Sequence, residues 1–268
     1  MGMPIFDRNL VRCYKDRAIE NGLYSNFLFD EIINIIVDRL LFLRLDLGCF
    51  LLNLGCRNGI LLRSLLQKKI ISNVNQVLQS DVSYGFLSKV KSGYKVVADD
   101  EALPFKNNIF DVVVSSMALH NVNHLVDVLN NIRALLKKKG VLIATLFGSK
   151  TLLDLKMSFI KAEMDYGAAP RILPFINPRE AILLMQKSGY KDLVVDVNTI
   201  ELQYNNIYVL LHDLKNMGEG NVLSVRDSKS LTRGIIDKAW HIYKKFFSSD
   251  GINVSAIFEV IILKGVNQ

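Results

Sequence analysis

The chain has 268 residues, of which half are hydrophobic and 22% charged, with only five Pro and sixteen Gly. That composition is enough to bury a large core and excludes a disordered, collagen-like or low-complexity chain. The 33 basic and 26 acidic residues leave a net charge of +7, which invites a nucleic-acid reading. The basic runs Lys68-Lys69, Lys137-Lys138-Lys139 and Lys244-Lys245 are expected at helix ends instead, where cations complement the macrodipole. No stable nucleic-acid partner is therefore expected.

Taken in chain order, Met1 to Arg12 mix Pro4, Asp7 and Arg8 into any apolar run, so no secretory signal is expected. The first forty-odd residues read as helix, because Ile32, Ile33, Ile36, Val37 and Leu40 recur at three- and four-residue spacing. Five strand-like runs follow: Cys49–Leu54, Asn75–Gln79, Tyr94–Ala98, Asp111–Ser115 and Val141–Leu146. Helix-period stretches at Ile60–Lys68, Tyr84–Val90 and Leu125–Lys137 separate most of them. Strands apolar on both faces and separated by helices predict a parallel sheet covered on both sides. Gly140 after the lysine triplet reads as a helix C-terminus.

Further helices are predicted at Leu152–Met164, Pro178–Lys187, Ile207–Asn216 and Lys229–Phe247, with a loop at Asp165–Asn177. Strands are expected at Asp192–Leu202 and Val254–Leu263. The two helices between them form an insertion suited to a lid, and Trp240 is expected to pack it against the core. The expected architecture is a single domain: a helical cap (1–47), a Rossmann-like core (48–204 and 250–268) and a lid (205–249). Cys13, Cys49 and Cys56 offer neither a disulfide framework nor a zinc site. No stretch is long and apolar enough to span a bilayer, and the expectation is a soluble, cytoplasmic protein.

The chemistry concentrates at the ends of the first three strands. Asn53-Leu54-Gly55-Cys56-Arg57-Asn58-Gly59 is a strand–glycine-rich turn–helix junction, which places backbone N–H groups at the edge where open α/β sheets bind ligands. Asp81, followed by Val82 and Ser83, suits either the hydroxyls of a ribose or the N-cap of the next helix. Asp99-Asp100-Glu101 read as a solvated loop or as a second acidic contact. His120, His124 and Asp127 would share one face if helical, a weak metal signal, and no metal is expected.

The runs NLGCRNG, QSDVS, ADDEALPFKNNIFDVVVSSMALHNV and LLKKKGVLIATLFG resemble the class I methyltransferases that use S-adenosylmethionine. The resemblance implies a seven-stranded sheet. It puts Gly55, Cys56, Arg57 and Gly59 under the cofactor, Asp81 and Val82 at its ribose, Asp99 and Asp100 at its adenine, and Ser115 beside the methyl donor. Asn53 and Arg57 depart from the family, which has an acid and a glycine there. Arg57 thus either points to solvent through a shifted turn or leaves cofactor affinity weakened or lost. Ser115-Ser116-Met117-Ala118 lacks the tetrad expected of an enzyme that methylates base amino groups.

The opening Ile5-Phe6-Asp7-Arg8-Asn9-Leu10, the Pro174-Phe175 loop and Met217-Gly218-Glu219-Gly220-Asn221 extend the resemblance to the methyltransferase-like assembly factors of respiratory complex I. That likeness implies arginine modification on a protein substrate. Asp213-Leu214-Lys215 and Leu231-Thr232-Arg233 are similar to the malonyl-carrier-protein O-methyltransferases, which implies an acyl-carrier-bound acceptor. A degenerate binding protein without turnover is the alternative outside enzymes. Tyr14, His120, Arg226 and Arg233 are the substrate candidates, and no catalytic residue is identified.

Overall fold

The computed structural model describes residues 3–20, 27–43, 45, 48–165, 167, 169–226 and 231–268. Its centre is one seven-stranded sheet in the order β3-β2-β1-β4-β5-β7-β6, as the resemblance implies. The strands are β1 (Leu51–Leu54), β2 (Val77–Asp81), β3 (Tyr94–Val97), β4 (Phe110–Ser116), β5 (Leu136–Phe147), β6 (Lys191–Tyr204) and β7 (Val254–Val266). The first five pair in parallel. The strand β7 lies antiparallel between β5 and β6 and bonds to both.

Helices α1 (Arg8–Glu20) and α2 (Phe27–Leu41) precede the sheet, and α3 (Ile60–Gln67), α4 (Tyr84–Ser88) and α5 (Leu125–Leu135) connect its parallel strands. The helices α6 (Leu153–Glu163) and α7 (Pro178–Lys187) follow β5, while α8 (Ile207–Asn216) and α9 (Arg233–Phe247) lie between β6 and β7 in sequence. The expected start of the last helix at Lys229 lies outside the described residues. The apolar stripe of α2 is realised: Leu28, Ile32, Ile36, Val37 and Leu40 are fully buried. Trp240 is half-buried against the same core and meets Tyr243 edge-on.

Two expectations about the elements fail. Lys137, Lys138 and Lys139 begin β5 rather than ending α5, because Lys137 pairs with Asp111 of β4 at 2.8 Å. Gly140 is accordingly inside a strand, not after a helix. The second strand starts at Val77, later than Asn75, because Asn73 and Gln76 form a reciprocal capping box over a short 3-10 turn.

Candidate functional site

The carboxyl ends of β1, β2 and β4 converge with α1 and the segment after α8. The turn leaving β1 has positive φ at Gly55, Arg57 and Gly59 (65°, 50° and 78°). A side chain at Gly55 would collide with Ala118 and the Ser116 carbonyl, so its conformation serves the packing of β1 against the β4 loop. Arg57 holds a left-handed backbone that favours glycine.

Arg57 does not turn to solvent. Its side chain is 2% exposed, with Nη2 2.6 Å from Glu219 Oε1 and Nη1 donating to the Met217 carbonyl. The guanidinium stacks on Phe29, 3.4 Å from the ring centroid, a cation–π contact. Glu219 also accepts a hydrogen bond from His120 Nε2 at 3.0 Å. Burial alone would raise its carboxyl, but the charge and hydrogen bond of His120, then Arg57 and Lys15, hold it down at about 2. Since the ionised Glu219 accepts, Nε2 carries the proton. His120 Nδ1 is buried without a hydrogen-bond partner among the described residues.

Asp81 ends β2 fully buried. It accepts from the backbone N–H groups of Arg57 and Ser83, and Lys15 of α1 sits 3.3 Å away. The N-cap of α4 is Ser83 rather than Asp81, and Val82 is buried beside it. Arg8 bridges Asp99 at 2.6 Å and Asp100 at 3.2 Å. Burial pushes the Asp99 carboxyl up, but the Arg8 hydrogen bond and charge outweigh it and leave it lowered. At the more deeply buried Asp100 desolvation wins and the carboxyl is raised. Helix α1 thus straps across the acids, and its Asp16 fixes it further by accepting from Gly85 N.

Cys56 is fully buried, and desolvation pushes its thiol well up. A thiol reagent is expected to label the half-buried Cys13 and Cys49 first and Cys56 only on unfolding. Peptide mapping after timed labelling checks this; early modification of Cys56 would mean that the β1 turn opens in the native state.

A cavity of about 400 Å³ adjoins this cluster, lined by Tyr14, Arg17 and Ala18 of α1, by Phe147, Phe159 and Phe258, by Leu211, Leu214 and Lys215 of α8, and by Glu219. Tyr14, one of the substrate candidates, lines this cavity, and Gly220 lets its ring approach, since a Cβ there would strike it. His120 packs between Phe147 and Phe175 (centroids 4.9 and 6.0 Å). It lies in a 3-10 turn, whereas Asp127 is on α5, so no shared helical face exists for a metal. Arg226 and Arg233 do not line the cavity. Arg226 caps the Leu223 carbonyl near Asp7, and Arg233 is exposed at the start of α9.

Four groups assembled here escaped sequence reasoning: Arg8, Lys15, Arg17 and the carboxylate of Glu219. Only Glu219 carries a signal, as an acid set between two glycines.

The residues at β1 and β4 suit a polar cofactor. Both side-chain atoms of Asn53, and the hydroxyls of Ser115 and Ser116, are buried with no hydrogen-bond partner among the described residues, a costly state that a polar ligand relieves. The acids at β2 and β3 fit as well, on condition that α1 releases them.

A methyltransferase domain matches residues 52–144. The chain is 32% identical to the arginine-hydroxylase NDUFAF5, mitochondrial, of Homo sapiens, over 98% of this chain and 77% of that protein. It is 26% identical to a malonyl-[acyl-carrier protein] O-methyltransferase of a Methylovorus species, over 96% of this chain and 88% of that one. Among solved structures it is similar to phosphoethanolamine N-methyltransferase 2 of Haemonchus contortus, with a TM-score of 0.58 and 16% identity, covering 96% of this chain and 59% of that one.

Proposed function

Because the chain belongs to the methyltransferase-fold family of the arginine-hydroxylase NDUFAF5, we propose that it transfers a methyl group to an acceptor presented by a protein, either a side chain or a carrier-bound group. The methyltransferase domain makes S-adenosylmethionine its cofactor. One observation carries the reading: Asp81, Asp99 and the unpartnered Asn53, Ser115 and Ser116 meet at one sheet edge, beside a cavity floored by Glu219.

In this reading Asp81 takes the ribose hydroxyls, Asp99 takes the adenine amino group, and Asn53 and Ser115 serve the methionine end. Bound there, the cofactor supplies an electrophilic methyl group on sulfur. Phe147 and Phe175 exclude water, which favours in-line displacement. Glu219 fixes His120 with its Nε2 protonated, which leaves Nδ1 to take a proton from a nitrogen or oxygen acceptor. The helices between β6 and β7 act as the lid over the acceptor. The NDUFAF5 likeness supports a protein-borne arginine, and the malonyl-carrier likeness supports a carboxylate.

A second reading, a binding protein without turnover, is favoured by Arg57 at a glycine-type position and by the acids already paired to α1. Calorimetric titration with S-adenosylmethionine separates the two. Saturable heat with a matching thermal shift supports the enzyme; no heat and no shift at millimolar cofactor removes it.

A further inference from the structure

The cavity beside Glu219 has a chemistry of its own. Its walls are mostly aromatic and aliphatic, with Phe147, Phe159 and Phe258 buried at one side. Its volume of about 400 Å³ is that of a small-molecule site. The charges around it are unequal. Glu219 is neutralised by Arg57 and His120, and Arg171 is held by Glu163. Arg17 of α1 and Lys215 of α8 are exposed cations that form no ion pair or hydrogen bond among the described residues. An apolar interior with two uncommitted cations at its exposed margin favours an anionic head over a cationic one.

We propose that this cavity binds an amphipathic carboxylate, its acyl chain among the phenylalanines and its carboxylate between Arg17 and Lys215. The apolar chain supplies affinity through the area it removes from water. The two cations select the anionic head through charge-assisted hydrogen bonds. A short polar acid would leave most of the cavity wall unused. The proposal goes beyond the methyltransferase reading and stands or falls on the cavity alone.

The test is calorimetric titration of the full chain with dodecanoate below its micelle concentration. Dodecanol, octanoate and acetate are run in parallel, and S-adenosylmethionine is titrated into the same preparation. Dodecanoate is expected to bind at one site and dodecanol about tenfold more weakly. Affinity should fall through octanoate to no detectable heat with acetate. The doubly reversed Arg17→Glu/Lys215→Glu variant, on the surface and outside the fold's core, should bind dodecanoate no better than dodecanol while keeping its dodecanol affinity.

Equal binding of dodecanoate and dodecanol by the parent chain overturns the role of the cations. Binding of acetate as tightly as dodecanoate overturns the role of the cavity. Cofactor heat without dodecanoate heat overturns this inference and leaves the methyltransferase reading standing. Dodecanoate heat without cofactor heat does the opposite.

Discussion

Replacing Glu219 with alanine is expected to lower the melting temperature by about 10 °C, a loss of about 3–5 kcal/mol. The reason is the company it keeps. Arg57 is buried with its guanidinium spread over Phe29 and its charge paired with Glu219. Removing the carboxylate takes the paired anion from a cation that is buried away from water, and takes the acceptor from His120 Nε2. The double variant Arg57→Gly/Glu219→Ala should recover more than half of the loss, since it removes the buried charge and places glycine at a φ of 50°.

The pH dependence gives a second check. The Glu219 carboxyl titrates at about 2 in the folded chain, below its ordinary value near 4.5. Its contribution, about 3 kcal/mol, is therefore complete above the ordinary value and lost as the pH falls toward 2. Thermal melts at pH 7 and pH 3 should show the gap between parent and Glu219→Ala narrowing in acid. A constant gap would mean that packing, not the charge, accounts for the loss.

Cofactor affinity should move in opposite directions at the two ends of the Lys15–Asp81 pair. Asp81→Asn removes a charged acceptor and is expected to weaken S-adenosylmethionine binding by about 1–3 kcal/mol. Lys15→Met removes the internal competitor for the same carboxylate and is expected to tighten binding about tenfold. The argument is one of populations. While α1 holds Asp81 and Asp99, a ligand for those acids meets only the fraction of molecules in which the strap has let go. Titration of both variants decides it, with circular dichroism verifying that each is folded. Weaker binding by Lys15→Met would mean that Lys15 holds the cofactor rather than competing with it.

How much of this was legible beforehand depended on whether the relevant pattern is local. The helices Pro178–Lys187 and Ile207–Asn216 are as read, because their caps Asn177 and Asn206 and their apolar spacing sit in one short stretch. The lysine triplet was misplaced because three cations before a glycine mimic a helix end, while the Asp111 that draws Lys137 into the sheet lies on another strand. The same division holds in the site. Gly55, Asp81, Asp99 and Ser115 fall at strand ends that alternation locates. What the acids do in the folded chain was hidden, because Arg8 and Lys15 reach them from far along the sequence. Arg226 and Arg233 were chosen for their charge, and nothing local distinguishes them from Arg17 and Lys215, which line the cavity.

The position of β7 bears on how the chain comes to be folded on the ribosome. Strand β6 is made well before β7, yet β7 is its only strand neighbour among the described residues, and β7 also completes β5. Until residues 254–266 emerge, β6 and the outer side of β5 present unpaired backbone groups, with α8 and α9 already synthesised beside them. That interval is when the nascent chain is most exposed to edge-to-edge association, and the strand that ends it is the last of the sheet to be made.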